Sequence, residues 1–163
     1  TPLRVVATDA ASGESVVLSR GSLVTALRAS MAVPFIFPSV EVDGRRLVDG
    51  VVSDPLPLAA ARDASVIVAL GFHGSMPRRI DRPSRLVAQT STTLINNLMQ
   101  ARIAAAQTAG QRIVHIELAL DRRIGLWETA AMPALFEAGR RAAEARLPEI
   151  AAMLEHAPEQ NAA

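Results

Sequence analysis

Two Asp-Gly pairs are the residues of this chain whose type and setting allow acid–base chemistry. Asp43-Gly44 lies between two short alternating runs, Val40-Glu41-Val42 and Arg46-Leu47-Val48, which predicts a two-residue hairpin turn. Asp49-Gly50 follows the second run, and no matching strand comes after it. The second pair is therefore placed at a strand end, where α/β proteins keep functional loops, although a turn is the commoner role of Asp-Gly when spacing alone is considered.

A catalytic carboxylate needs a nucleophile to serve, and this chain shows none. A serine on a strand-turn-helix elbow reads Gly-x-Ser-x-Gly, and that pattern is absent. The second glycine is lacking in the three partial matches, Gly13-Glu14-Ser15, Gly21-Ser22 and Gly74-Ser75. Their serines are expected to cap helices or to serve as polar residues of turns. Cysteine is absent too, and no glycine-rich loop suits an oxyanion hole or a nucleotide phosphate. We therefore expect only part of an active site in this chain.

Strands and helices alternate along the sequence. Besides the hairpin, strands are predicted at 3–8, 14–19, 65–70 and 112–118, and helices at 23–31, 57–62, 84–109 and 132–154. This alternation predicts an α/β fold with a mainly parallel sheet and helices on its faces. One domain is expected over residues 1–157, followed by a frayed tail at 158–163.

Composition narrows the possible classes of protein. Of 163 residues, 50% are hydrophobic but only 3% are aromatic, so the core must consist of Ala, Val, Leu and Ile. All 17 basic residues are arginines, whose very high pKa explains a pI of 8.9 at a net charge of +1. The arginine pairs are scattered and aromatic platforms are lacking, so a nucleic-acid partner is not expected. No apolar run has the length of a membrane span.

Several motifs together resemble the second half of a patatin-like phospholipase domain. A helix motif Arg-Ala-Ser-x-x-x-Pro is followed, after a strand, by an Asp-Gly, and this combination is the layout of that family. The matching segments are Val6-Ala7-Thr8-Asp9, Gly13-Glu14, Ala26 to Pro34, Asp43 to Gly50 and Leu56-Pro57. The resemblance covers the chain from about Leu3 to the strand at 65–70, and more loosely the rest.

The resemblance implies a three-layer α/β/α fold and a serine acyl hydrolase that uses a Ser-Asp dyad without a cofactor. It assigns the catalytic base to Asp49, with Gly50 as motif support, and it places the serine and the oxyanion loop upstream of this chain. Two positions differ from the family pattern. Val51 stands where a small residue usually follows Asp-Gly, and Asp54 stands where Asn is common.

The function expected from the resemblance is that of a lipid esterase or a phospholipase of the A type, to which this chain supplies the Asp and not the Ser. Its expected partners are an N-terminal fragment of the same protein that carries the nucleophile, and a lipid or ester substrate. The expected location is cytoplasmic or peripherally membrane-associated. The alternative is a non-catalytic binding or scaffolding domain that keeps a patatin-like fold.

Other candidate residues have ordinary structural explanations beside functional ones. Phe35 and Phe37 are candidates for the wall of an acyl pocket, although such a cluster is more often a core plug. The three histidines lack metal-type spacing, so no metal site is predicted. Leu126-Trp127 is either a lid or a buried aromatic, and the arginines of the last helix either touch lipid headgroups or are simply solvated; these are Arg140, Arg141 and Arg146.

Overall fold

The computed structural model describes residues 2–72, 81–118, 124 and 128–156. Six strands and four α-helices lie in these residues, in the order β1 (Val5–Asp9), β2 (Ser15–Leu18), α1 (Leu23–Ser30), β3 (Val40–Val42), β4 (Arg45–Asp49), β5 (Ile67–Phe72), α2 (Pro83–Thr108), β6 (Ile113–Leu118), α3 (Met132–Glu144) and α4 (Leu147–Glu155). Short 3₁₀ turns add Gly50–Val52, Leu58–Ala61 and Thr129–Ala131. Their contacts group the described residues into two compact units.

The first unit comprises the described residues of 1–61 together with 97–104, and it is built on an antiparallel sheet. The strand order is β2-β1-β4-β3, and helix α1 packs against β1, β3 and β4. Its centre is formed by Ala7, Ala29 and Leu47, none of which has any exposed surface. Small and aliphatic side chains thus form this core, as the composition predicted. The alanine on α1 allows the helix to lie close to the sheet.

The hairpin between β3 and β4 turns on Asp43 and Gly44, whose φ angles are +49° and +72°. Two consecutive residues with positive φ define the type I′ turn, and its twist matches that of the flanking strands. The pairing Val42↔Arg45 closes directly on this turn. The prediction that the first Asp-Gly is a hairpin turn is therefore confirmed.

The second unit comprises the described residues of 62–96 and 105–163, and it holds a parallel strand pair. β5 and β6 run parallel, with register from Ile67↔Ile113 to Phe72↔Leu118. The side chain of Arg112, just before β6, donates hydrogen bonds to the carbonyls of Met153 and His156 at the end of α4. These contacts satisfy carbonyls at a helix C-terminus, where a cation also complements the helix dipole.

The α/β class predicted from the sequence is confirmed, but the two sheets differ in strand direction. β5 and β6 are parallel as predicted, whereas the four-stranded sheet is antiparallel. Short turns join β1 to β2 and β3 to β4, and such turns connect antiparallel strands, whereas the parallel pair β5–β6 has a long crossover that includes α2. The two hairpins then pair through β1 and β4, also antiparallel. The predicted helix over 132–154 is divided into α3 and α4, and Pro148 occupies the first turn of the second helix, where proline is tolerated.

Candidate active site

Asp49 is the last residue of β4, and two parts of the first unit hold its backbone, β1 and the chain just beyond α1. It pairs with Ala7 of β1 in the antiparallel register. Its N–H donates to the carbonyl of Ala32, just beyond α1, at 3.0 Å. Its own carbonyl accepts the hydroxyl of Thr8 at 2.8 Å. The strand-end position expected for Asp49 is therefore confirmed, and it is fixed from both β1 and the α1 side.

The Asp49 carboxylate caps the 3₁₀ turn that follows it. Its Oδ1 accepts the backbone N–H of Val51 at 2.8 Å, and the side chain is half-buried. Burial disfavours the charged form and raises the pKa of Asp49, while the Val51 hydrogen bond partly offsets this rise. The result is a carboxylate that is more basic than an exposed one, with Oδ1 engaged in the fold.

The raised pKa of Asp49 predicts a pH dependence of stability with a definite sign. Because its folded pKa lies above the ordinary value of 3.8, Asp49 contributes stability that is complete below 3.8 and is lost as the pH rises through the folded pKa. Asn does not ionise. We therefore expect the free energy of unfolding of Asp49→Asn to increase relative to wild type across that window. Urea denaturation from below pH 3.8 to neutrality measures this difference, and a difference independent of pH would contradict burial as the cause.

Gly50 is buried because it lies against the backbone of β1. A Cβ placed on it would come 2.5 Å from the carbonyl oxygen of Val6 and 3.0 Å from the carbonyl carbon. Its φ lies outside the left-handed region, in contrast to that of Gly44. Freedom to adopt a left-handed turn is therefore not what requires glycine at this position; the close approach of the β1 backbone excludes any side chain here.

Thr8 and Ser53 form a polar contact behind Asp49 that the sequence did not reveal. Thr8 is only 1% exposed, and its Oγ1 lies 2.8 Å from both the Asp49 carbonyl oxygen and Ser53 Oγ. The single Thr8 proton goes to the carbonyl, so the Ser53 hydroxyl donates to Thr8. Thr8 lies in the Val-Ala-Thr-Asp motif of β1, which is the only sequence signal that could have indicated it.

Asp54 is a second carboxylate in the same loop, and it is almost completely buried. Its side chain is 5% exposed, and Arg102 of α2 places Nε 3.5 Å from its Oδ1. Arg102 also donates from Nη2 to the Ser53 carbonyl at 3.1 Å. Burial raises the pKa of Asp54, and the charge of Arg102 lowers it by a smaller amount. The sequence marked Asp54 only as a departure from the family pattern and gave no role to Arg102.

The aromatic residues proposed for an acyl pocket lie on the surface of the described part of the chain. Phe35 is fully exposed and has a φ of +69°, an unusual conformation for a bulky residue. Phe37 is 41% exposed. A cavity of about 210 Å³ lies between β1, β2 and the start of α1, and neither phenylalanine nor Asp49 lines it. A pocket role for the two phenylalanines stays a prediction.

The remaining candidates are not brought to Asp49 by any described contact. Ser22 caps α1 by accepting the N–H of Thr25, as predicted. Arg140 and Arg141 form ion pairs with glutamates of α3, and Arg146, just before α4, pairs with Glu149 of that helix. Among the described residues, no group of three His, Asp or Glu side chains is arranged to hold a metal. Ser75, His73 and Leu126-Trp127 lie outside the described residues.

Comparison with known proteins identifies the part of the chain that carries this site. Residues 4–62 match the model of the Patatin-like phospholipase family. This segment is patatin-like. It contains Thr8, Asp49, Gly50, Ser53 and Asp54, and it therefore includes the candidate site apart from Arg102. The resemblance predicted from the motifs is confirmed.

Two mycobacterial proteins illustrate how the patatin-like segment relates to longer chains. An uncharacterized NTE family protein of Mycobacterium tuberculosis is 46% identical over 76 residues, which cover 45% of this chain and 21% of that protein. Another uncharacterized NTE family protein of the same organism is 31% identical over 164 residues, which cover 87% of this chain and 28% of that protein. Proteins of Mycobacterium bovis match to the same extent. This chain thus spans less than a third of the length of these relatives.

Within residues 2–72, 81–118, 124 and 128–156, no helix combines the length and the apolar character needed to cross a bilayer.

Proposed function

We propose that this chain supplies the general base, Asp49, of a serine acyl hydrolase that cleaves lipid esters. The observation that carries the proposal is the setting of Asp49, a half-buried carboxylate with a raised pKa at a strand end inside the patatin-like segment. The nucleophilic serine and the oxyanion donors come from an N-terminal segment of the same protein. The partners of the chain are thus that segment and a lipid or ester substrate, reached by peripheral contact with the lipid surface.

The chemistry assigns a separate task to each Asp49 oxygen. Oδ1 holds the Val51 N–H and stays fixed to the loop. Oδ2 takes the proton of the serine hydroxyl while the serine oxygen attacks the acyl carbonyl. The same carboxyl then returns the proton to the leaving alcohol. In the second half of the reaction, Asp49 takes a proton from the water that attacks the acyl group and gives it to the departing serine oxygen. Burial helps the first step, because a carboxylate that is less well solvated binds a proton more strongly.

The division of the site between two segments is tested by comparing this chain with the complete protein. We expect the complete protein to hydrolyse a p-nitrophenyl ester and to be labelled by a fluorophosphonate on a serine that lies before Thr1. The 163-residue chain alone should show neither property, because an isolated base does not transfer an acyl group.

Two outcomes would contradict the proposal. A labelled serine within the chain itself would disprove the division of the dyad. A folded complete protein without Gly-x-Ser-x-Gly, and without hydrolysis or labelling, would instead favour the binding or scaffolding alternative.

A further inference from the structure

We propose that Arg102 is a positioning residue for Asp49, and that it acts by clamping the loop Ser53–Asp54. Hydrogen bonds lead from this loop to the carbonyl of Asp49 and to the carbonyl of Gly50. The inference rests on the proposed role of Asp49 as the base. It concerns α2, which lies outside the segment matched by the family model.

The burial of Asp54 creates the need for a cation at this place. Its side chain is 5% exposed, and its Oδ1 is fully buried and accepts no hydrogen bond from the described residues. A buried charge without a partner is costly, so an ionised Asp54 requires a compensating charge. Arg102 supplies it, with Nε 3.5 Å from that oxygen. The carboxylate and the guanidinium therefore constrain where the loop can lie.

Arg102 holds the loop at a second point through a different nitrogen. Its Nη2 donates to the Ser53 carbonyl at 3.1 Å, while Nε faces Asp54. The planar guanidinium addresses both groups from a fixed geometry, and an ammonium group does not reproduce that fork. Met99 and Ile103 lie beside Arg102 on the helix and are 3% and 8% exposed. This packing fixes the part of α2 that carries Arg102.

Two hydrogen-bonded connections lead from the clamped loop to the candidate base. The N–H of Asp54 donates to the Gly50 carbonyl at 2.8 Å, which closes the turn after Asp49. The Ser53 hydroxyl donates to Thr8, whose hydroxyl donates in turn to the Asp49 carbonyl. A shift of Ser53–Asp54 thus acts on the peptide groups that orient the Asp49 carboxylate.

The amide of Val51 offers a direct probe, because its N–H donates to Asp49 Oδ1. In the 163-residue chain, we expect Arg102→Met to move the Val51 amide proton upfield as this hydrogen bond lengthens. The variant leaves Asp54 as an unpaired buried charge. Adding Asp54→Asn, the residue common at this position in the family, removes that charge and should return the Val51 signal most of the way to its wild-type position.

Arg112→Met is the matched control, because Arg112 also clamps backbone carbonyls but does so at the end of α4. It should lower the midpoint of urea denaturation and leave the Val51 signal in place. Arg102→Lys, which keeps the charge, serves if Arg102→Met does not fold, and it should give a smaller upfield shift. In the complete protein, Arg102→Met should lower kcat by up to about 10²-fold with little change in KM, because the base is misplaced and not removed.

A Val51 signal that stays at its wild-type position in a folded Arg102 variant would overturn the proposal, even if stability falls. Failure of Asp54→Asn to restore the signal would overturn the charge argument. These outcomes are separate from the proposed function. If Asp49→Asn leaves ester hydrolysis intact while the Val51 signal still responds to Arg102, the role of Asp49 as the base fails and the positioning of its carboxylate by Arg102 stands.

Discussion

We expect Asp49→Asn to lower the rate of ester hydrolysis by the complete protein on the order of 10²–10⁴-fold, the contribution proposed for Asp49 as a general base. Asn keeps the shape of the side chain. Its amide oxygen can still accept the hydrogen bond that the Val51 N–H donates to Asp49 Oδ1 at 2.8 Å in the wild type. The loss should therefore appear in kcat, with KM almost unchanged, because the amide cannot take the serine proton. Steady-state kinetics with a p-nitrophenyl ester measure both quantities.

Asp43→Asn is the matched control for this prediction, because it makes the same chemical change in the other Asp-Gly pair. Asp43 lies in the type I′ turn with a φ of +49°, and Asn tolerates this left-handed conformation well. We expect hydrolysis at the wild-type rate. Wild-type activity in Asp49→Asn would remove Asp49 as the base, and equal losses in both variants would indicate a general effect on the fold.

Gly50→Ala should destabilise the chain by about 1–3 kcal/mol, the usual cost of forcing an added methyl group into a packed site. The new Cβ would lie 2.5 Å from the Val6 carbonyl oxygen, and this neighbour is backbone that cannot rotate away. β1 and the turn must therefore separate, which moves Asp49 relative to its partners. In the complete protein, a displacement of this kind can reduce kcat by up to about 10²-fold.

The control for Gly50→Ala is Gly139→Ala, because a Cβ added there would meet no described atom within 4 Å beyond its chain neighbours and the backbone of its own helix. Gly139 lies inside helix α3, where alanine is more favourable than glycine by about 0.5–1 kcal/mol. The two substitutions are chemically identical and should shift stability in opposite directions. Urea denaturation of the 163-residue chain compares them, and a Gly50→Ala variant as stable as wild type would show that the approach to β1 is not tight.

Local patterns in the sequence predicted the elements and singled out one carboxylate. The alternation around Asp43-Gly44 predicted the hairpin, because a two-residue turn with positive φ is a property of neighbouring residues. Placing Asp49 at the end of the second hairpin strand followed from the same pattern. The patatin-like resemblance rested on motifs within residues 4–62, the range that the family model matches. The catalytic role of Asp49 stays a prediction.

Strand direction and helix ends were predicted less well, because both depend on contacts beyond neighbouring residues. Alternating strands and helices favoured a parallel sheet, but short connections make β1–β2 and β3–β4 antiparallel hairpins, which pair side by side through β1 and β4. The Ala- and Arg-rich stretch from 132 to 154 was predicted as one helix and did not show that α3 ends at Glu144 and α4 begins at Leu147. Such boundaries depend on the packing of each helix as well as on its own residues.

The order of residues was enough to place Asp49-Gly50 after a strand, in patatin-like surroundings. How that carboxylate is held depends on parts of the chain that the fold brings together. Gly50 must be glycine because β1, far away in sequence, passes against it, and Thr8, Ser53 and Arg102 meet behind the site from separate elements. Turns and helices follow from residues adjacent in the chain, whereas burial, pKa and close approach depend on neighbours that only the fold brings together.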